Sequence, residues 1–196
     1  MIQYSASSYK NDLKALWKLC FPEDTDRFIQ FYFDTVYQDD ETLIYPENHR
    51  PIAALQMIPY AIKTGDSVRK GGYLSGIMTH PAFRKRGCMD ALLKTAFDEM
   101  VKKGYDYAFL IPQQKALVGM YARYGFRLCE PNPDPPVNQA LKSPRQWAAL
   151  RQDFFAENGV WLEQEPFFPG EQKGMIRRLN PAVEEITTLY MGMMLD

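Results

Sequence analysis

The stretch Gly76-Ile77-Met78-Thr79-His80-Pro81-Ala82-Phe83-Arg84-Lys85-Arg86-Gly87-Cys88-Met89 decides how this chain is read. A run of strand-forming residues ends at Pro81, a short basic loop follows, and Gly87 opens a helix. From Cys88 to Lys103 the apolar residues Met89, Leu92, Leu93, Ala96, Phe97, Met100 and Val101 recur at steps of three and four. That spacing predicts an amphipathic helix, with Gly104 placed as its C′ residue. Helix N-termini carry N–H groups without intrahelical partners and a partial positive charge, so they attract phosphate. Arg84, Lys85 and Arg86 add mobile positive charge, and Gly87 admits a ligand close to the backbone. Strand, basic glycine loop and helix together predict a pyrophosphate cradle.

Upstream, Ile2 to Tyr4 reads as a short strand. Leu13, Leu16, Trp17 and Cys20 follow at helical spacing behind an N-cap at Ser7 or Ser8. A second helix, capped by Asp24 or Thr25, carries Phe28, Phe31, Tyr32, Thr35 and Val36. Strands over Thr42 to Tyr45, Ile52 to Ile62 and Ser67 to Thr79, with turns at Pro46 to Pro51 and Gly65-Asp66, imply an antiparallel meander. Downstream, Tyr107 to Ile111 is apolar throughout, as a strand buried on both faces would be. A helix over Lys115 to Tyr124 and a strand over Phe126 to Cys129 complete a crossover. The fold class is therefore α/β (α+β), a mixed and mostly antiparallel sheet flanked by helices.

Beyond Glu130 the composition shifts. Prolines crowd Pro131 to Pro136, an extended linker, and Ser143-Pro144 opens a helix that Asn158-Gly159 ends. Val160 to Phe168, Met175 to Leu179 and Leu189 to Leu195 read as further strands. The division expected is a core of residues 1–130 and an extension of 131–196 packed on it.

The 196 residues carry 23 Lys plus Arg against 24 Asp plus Glu, a net charge of −1 that argues against a dedicated nucleic-acid binder. No apolar run is long enough to span a membrane. The N-terminal residues are polar and then amphipathic, unlike a signal peptide. The three cysteines, Cys20, Cys88 and Cys129, show no metal-ligand spacing, and neither His49 nor His80 joins a cluster. A cytoplasmic protein with reduced thiols and no bound metal is expected.

A second motif, Tyr121-Ala122-Arg123-Tyr124-Gly125-Phe126, lies one helix and one strand beyond the basic loop. The two together resemble the GCN5-related N-acetyltransferase superfamily. Its coenzyme-A loop, Gln/Arg-x-x-Gly-x-Gly/Ala after a strand ending in Val-x-Pro, is similar to Arg84-Lys85-Arg86-Gly87-Cys88-Met89 after Thr79-His80-Pro81. Met89 stands where a small residue is usual. A basic triplet before a single glycine resembles the enhanced-intracellular-survival type. The resemblance covers residues 1 to about 130, and it overturns the ordinary reading of a basic loop as a solvated turn.

The resemblance implies acetyl-CoA as cosubstrate. Its pyrophosphate is expected on Arg84, Lys85, Arg86, Gly87, Cys88 and Met89, and its pantetheine arm along Ile77, Met78 and Thr79, between strands that splay apart. A neutral primary amine attacks the thioester directly, and Tyr121 protonates the departing thiolate. For a general base, Glu23, Asp24 and Asp26 all remain open, while His80 reads as structural. Cys88 beside Arg86 at a helix start is a setting that favours thiolate. The acceptor is a small-molecule or peptide amine, with a homodimer also open. A coenzyme-A-binding sensor without transferase activity is the alternative, and a nucleic-acid module using Arg84 to Arg86 is a third.

Overall fold

A computed structural model describes residues 1–133, 135–165 and 174–194. Eight strands and five α-helices alternate along it. They are β1 (Gln3–Tyr4), α1 (Lys10–Cys20), α2 (Asp26–Thr35), β2 (Thr42–Glu47), β3 (Arg50–Thr64), β4 (Ser67–Thr79) and α3 (Cys88–Lys102). After these come β5 (Tyr107–Leu110), α4 (Val118–Ala122), β6 (Arg127–Leu128), β7 (Asn138–Leu141), α5 (Pro144–Asn158) and β8 (Met175–Arg178). Backbone pairing runs in the order β1-β2-β3-β4-β5-β8-β6, and β7 joins β3. The sheet is mixed and mostly antiparallel: β4 and β5 run parallel, while β8 is antiparallel to both β5 and β6. No helix among the described residues is long and apolar enough to cross a membrane.

The chain divides into two compact units. The first comprises Met1–Ile58 and Leu74–Met100. Its local signals act as expected. Thr25 caps α2 by accepting the Phe28 N–H at 3.1 Å. Asn48 and His49 both take left-handed φ, +50° and +63°, which gives the tight turn between β2 and β3 the twist a hairpin needs. Leu13, Trp17, Tyr32 and Phe33 are buried together, with the Trp17 and Tyr32 rings 4.6 Å apart. Leu92, Leu93, Ala96 and Met100 form the buried stripe of α3.

The second unit comprises Pro59–Tyr73 and Val101–Leu195. All four residues of β5 are buried, and Tyr60, Tyr73 and Phe109 pack edge-on or tilted around it. At Gly71 a Cβ would lie 2.4 Å from Ile62 Cδ1, so the buried Ile62 side chain would have to shift to admit one. A full capping box at Ser143 and Gln146 starts α5, and left-handed Gly159 ends it. Gln146 also donates to the Pro59 carbonyl at 3.0 Å, tying the start of α5 to β3.

Several expectations are revised in this unit. The helix expected over Lys115 to Tyr124 is a 3-10 turn at Lys115–Leu117 followed by the five-residue α4. The strand expected over Phe126 to Cys129 shortens to β6. Residues 160–165 form no strand, and Pro166 to Phe168 lie outside the described residues. Leu189 to Met194 contributes only an isolated parallel bridge, Tyr190 to Gln139, with Leu195 outside the description. Conversely, β7 carries no strand signal of its own, because Asn-Gln-Ala-Leu shows no alternation; it pairs with the distant end of β3 and meets Tyr190 through the bridge at Gln139.

Candidate active site

The first unit holds the basic loop and the strand that leads into it. Pairing between β4 and β5 ends at Tyr73 with Phe109, and β4 continues to Thr79 beyond that register. Gly76 takes φ +54° within this stretch, bending the strand just before Ile77, Met78 and Thr79. A Cβ on Gly76 would lie 2.8 Å from Trp17 Cζ3, so the bend is seated against α1. Met78 is buried, whereas Ile77 and Thr79 are half-buried. An extended strand edge is what a pantetheine arm, carrying successive amides, can pair with.

His80 stops the strand. Its Nδ1 accepts the Ala82 N–H at 3.2 Å, capping a single 3-10 turn over Pro81–Phe83, and its ring meets Phe83 edge-on. A structural role for His80 follows from that geometry. Arg84, Lys85, Arg86 and Gly87 are then exposed in sequence. Arg84 Nε donates to the Thr79 carbonyl at 3.2 Å, and the Arg86 guanidinium lies 4.8 Å from the centre of the Phe83 ring. Lys85 and Gly87 both take left-handed φ, +64° and +80°, so the loop reverses twice before α3. A Cβ at Gly87 would meet nothing within 4 Å, which leaves open space over the backbone there.

The first intrahelical bond of α3 runs from Ala91 N–H to Gly87 O at 3.0 Å. The Cys88 and Met89 amides thus lie in the first turn, where helix geometry supplies no carbonyl. Open backbone, three exposed cations and a fifteen-residue helix form a donor set that suits a pyrophosphate. Met89 is half-buried. Cys88 is different: its buried thiol donates to the Phe83 carbonyl at 3.9 Å and faces away from solvent.

Cys20 joins this neighbourhood without belonging to either motif. Its thiol donates to the same Thr79 carbonyl at 3.4 Å, and burial pushes it up despite the lowering effect of Arg84. No motif signals this contact, since 59 residues separate the pair. Of the base candidates, Asp24 Oδ2 accepts the Trp17 indole N–H at 2.6 Å and Asp26 pairs with Lys18 at 3.3 Å.

Tyr121 belongs to the second unit, near the C-terminal end of α4. Its side chain is buried, its ring packs edge-on to Phe126 at 6.0 Å, and desolvation pushes its hydroxyl up to about 12. A buried phenol that stays protonated is suited to donating a proton. Gly125 turns the chain with φ +80°, and Phe126 N–H closes back on the Tyr121 carbonyl at 3.4 Å.

A family model described as an acetyltransferase (GNAT) domain matches residues 2–129. Among solved structures, Eis1 from Mycobacterium abscessus is 13% identical with a TM-score of 0.59, covering 67% of this chain and 32% of that one. A GNAT family N-acetyltransferase from Escherichia coli (YhbS), in complex with CoA, is 15% identical with a TM-score of 0.62. It covers 98% of this chain and 89% of that one. A GNAT family acetyltransferase from Brucella melitensis, in complex with acetyl-CoA, is 13% identical with a TM-score of 0.52, covering 65% and 82%. The chain spans about a third of the length of Eis1 and of several similar structures. No curated protein matches.

Proposed function

The chain belongs to the GNAT acetyltransferase family, and on that basis we propose that it moves an acetyl group from acetyl-CoA to a primary amine by direct attack. The observation that carries this reading is the loop Arg84 to Gly87: exposed cations and open backbone at the N-terminus of a long helix, directly after a strand. The Escherichia coli and Brucella melitensis structures with CoA and acetyl-CoA support that choice of cosubstrate.

In this reading Arg84, Lys85, Arg86 and the amides of Gly87, Cys88 and Met89 hold the pyrophosphate, and Ile77, Met78 and Thr79 line the pantetheine. Acetyl-CoA supplies an activated thioester. The chain contributes positioning, Tyr121 gives its proton to the departing thiolate, and the proton shed by the amine nitrogen restores the phenol by way of solvent. No covalent enzyme intermediate is needed. Residues 1–130 form the catalytic core, and residues 131–196 shape the acceptor side. The extension's β8, paired with β5 and β6, supports a folded-in role for that segment.

A second reading, a coenzyme-A-binding sensor, is favoured by one observation: Asp24, a candidate base, already accepts the Trp17 indole N–H. Calorimetry with acetyl-CoA followed by thiol release across a polyamine, an aminoglycoside, free amino acids, a peptide N-terminus and a lysine peptide separates the two. Binding with release establishes the transferase, binding without release the sensor, and no binding defeats both.

A further inference from the structure

The five-residue α4 that carries Tyr121 is too short to hold its own shape, since an isolated helix of this length does not form in water. The turn that follows it is held from another part of the chain. Arg177, on β8, donates from a guanidinium NH group to the Tyr124 carbonyl at 2.7 Å. Tyr124 N–H in turn donates to the Tyr121 carbonyl at 2.9 Å. Tyr124 therefore bridges the cation and the tyrosine backbone through two consecutive hydrogen bonds.

The arrangement is locally enforced. The Arg177 side chain crosses the left-handed turn at Gly125, where a Cβ would lie 3.7 Å from Nε, in ordinary contact. Its own strand is pinned on both sides, with Ala108 opposite Arg177 on β5 and Arg127 opposite Ile176 on β6. The Tyr124 carbonyl lies in the turn two residues beyond Ala122, the last residue of α4, and a guanidinium donating to it forms a charge-assisted bond. Part-burial of that bond limits screening by solvent.

We infer that Arg177 is a positioning residue that fixes the backbone of Tyr121 through the Tyr124 carbonyl. This rests on the reading of Tyr121 as proton donor and gives a residue of the C-terminal segment a part in the chemistry. Arg177 touches no reacting atom; it acts by holding the turn from Tyr121 to Phe126.

The test has a ligand-free arm and a kinetic arm. In the free protein, Arg177→Met is expected to speed amide exchange at Tyr124 and Phe126 about tenfold while leaving α3 unchanged. Unchanged exchange at those two amides would overturn the inference. The kinetic arm is a double-mutant cycle with Tyr121→Phe, run with acetyl-CoA and whichever panel amine the wild type turns over fastest. Arg177→Met is expected to lower kcat about tenfold in the wild-type background and less than about twofold in the Tyr121→Phe background. Arg177→Lys, which can still donate one bond, is expected to recover most of the rate. Equal losses in both backgrounds would overturn the positioning role while leaving Tyr121 in place. A Tyr121→Phe protein of unchanged kcat would overturn the tyrosine's role and this inference with it. Should Arg177→Met not fold, Arg177→Gln is read in the same cycle with the same outcomes.

Discussion

Arg84 Nε donates to the carbonyl of Thr79 at 3.2 Å, so the first cation of the loop is anchored on the last residue of the strand before it. One edge of the guanidinium fork is used for that bond, and in the proposed function the exposed remainder meets the pyrophosphate. A lysine has a single ammonium and cannot hold both positions at once. Arg84→Lys is therefore expected to weaken coenzyme A about tenfold, or about 1.4 kcal/mol, in calorimetry. An unchanged affinity would remove Arg84 from the cofactor site.

Tyr121 is expected to matter for rate far more than for binding. Tyr121→Phe should lower kcat about a hundredfold, with KM for acetyl-CoA nearly constant. Because burial pushes the phenol up to about 12, no alkaline loss of rate from this group should occur below a pH of about 10. The raised folded-state value also fixes the sign of its stability contribution. That contribution is complete below the unfolded value near 10 and is lost as pH rises through about 12. Alkaline denaturation of Tyr121→Phe should therefore be shallower over that window than that of the wild type.

The two left-handed glycines before and after the 3-10 turn should respond differently to alanine. At Gly87 the added Cβ meets nothing within 4 Å, so only backbone strain of about 1 kcal/mol is expected. At Gly76 the strain is joined by a clash at 2.8 Å with Trp17, and a loss of about 3 kcal/mol is expected. Denaturant unfolding of the two variants checks the order; equal losses would show that Trp17 yields freely.

In the second unit, Lys142 and Glu165 form an ion pair at 2.6 Å with side-chain exposures of 6% and 20%. Lys142 also donates to the Met191 carbonyl, and Glu165 accepts the Met193 N–H at 2.7 Å, so the pair clamps the chain near Met191 to Met193. Burial pulls Lys142 down from its ordinary value while Glu165 opposes the shift. Glu165→Gln, which strands a buried cation, should cost about 3 kcal/mol, whereas Lys142→Met with Glu165→Leu should recover most of it. Thermal unfolding of the single and double variants measures this.

Much of the fold is legible in the sequence because its signals are local. The α3 periodicity ending at Gly104, the Thr25 cap and the Ser143 capping box each depend on residues within one or two turns. The basic loop is legible for the same reason: strand end, cations and glycine are contiguous. The Tyr121 motif is readable as a pattern, but the burial that raises its phenol above the ordinary value is not. Apolar composition alone misjudges residues 160–165 and 189–194, where tertiary contacts rather than strand pairing hold the chain. It also passes over β7, whose pairing partner lies more than seventy residues away in β3.

The order of elements, the basic loop at a helix N-terminus and the tyrosine motif downstream are all written in the amino-acid sequence, since each is encoded by spacing and backbone preference among neighbours. Three relationships emerge only when the chain is folded: β8 enters between β5 and β6, Arg177 bonds the turn after the tyrosine's helix, and Cys20 and Arg84 share the Thr79 carbonyl. Most of them join residues far apart in the chain, and their energies depend on burial and direction, which no local pattern records.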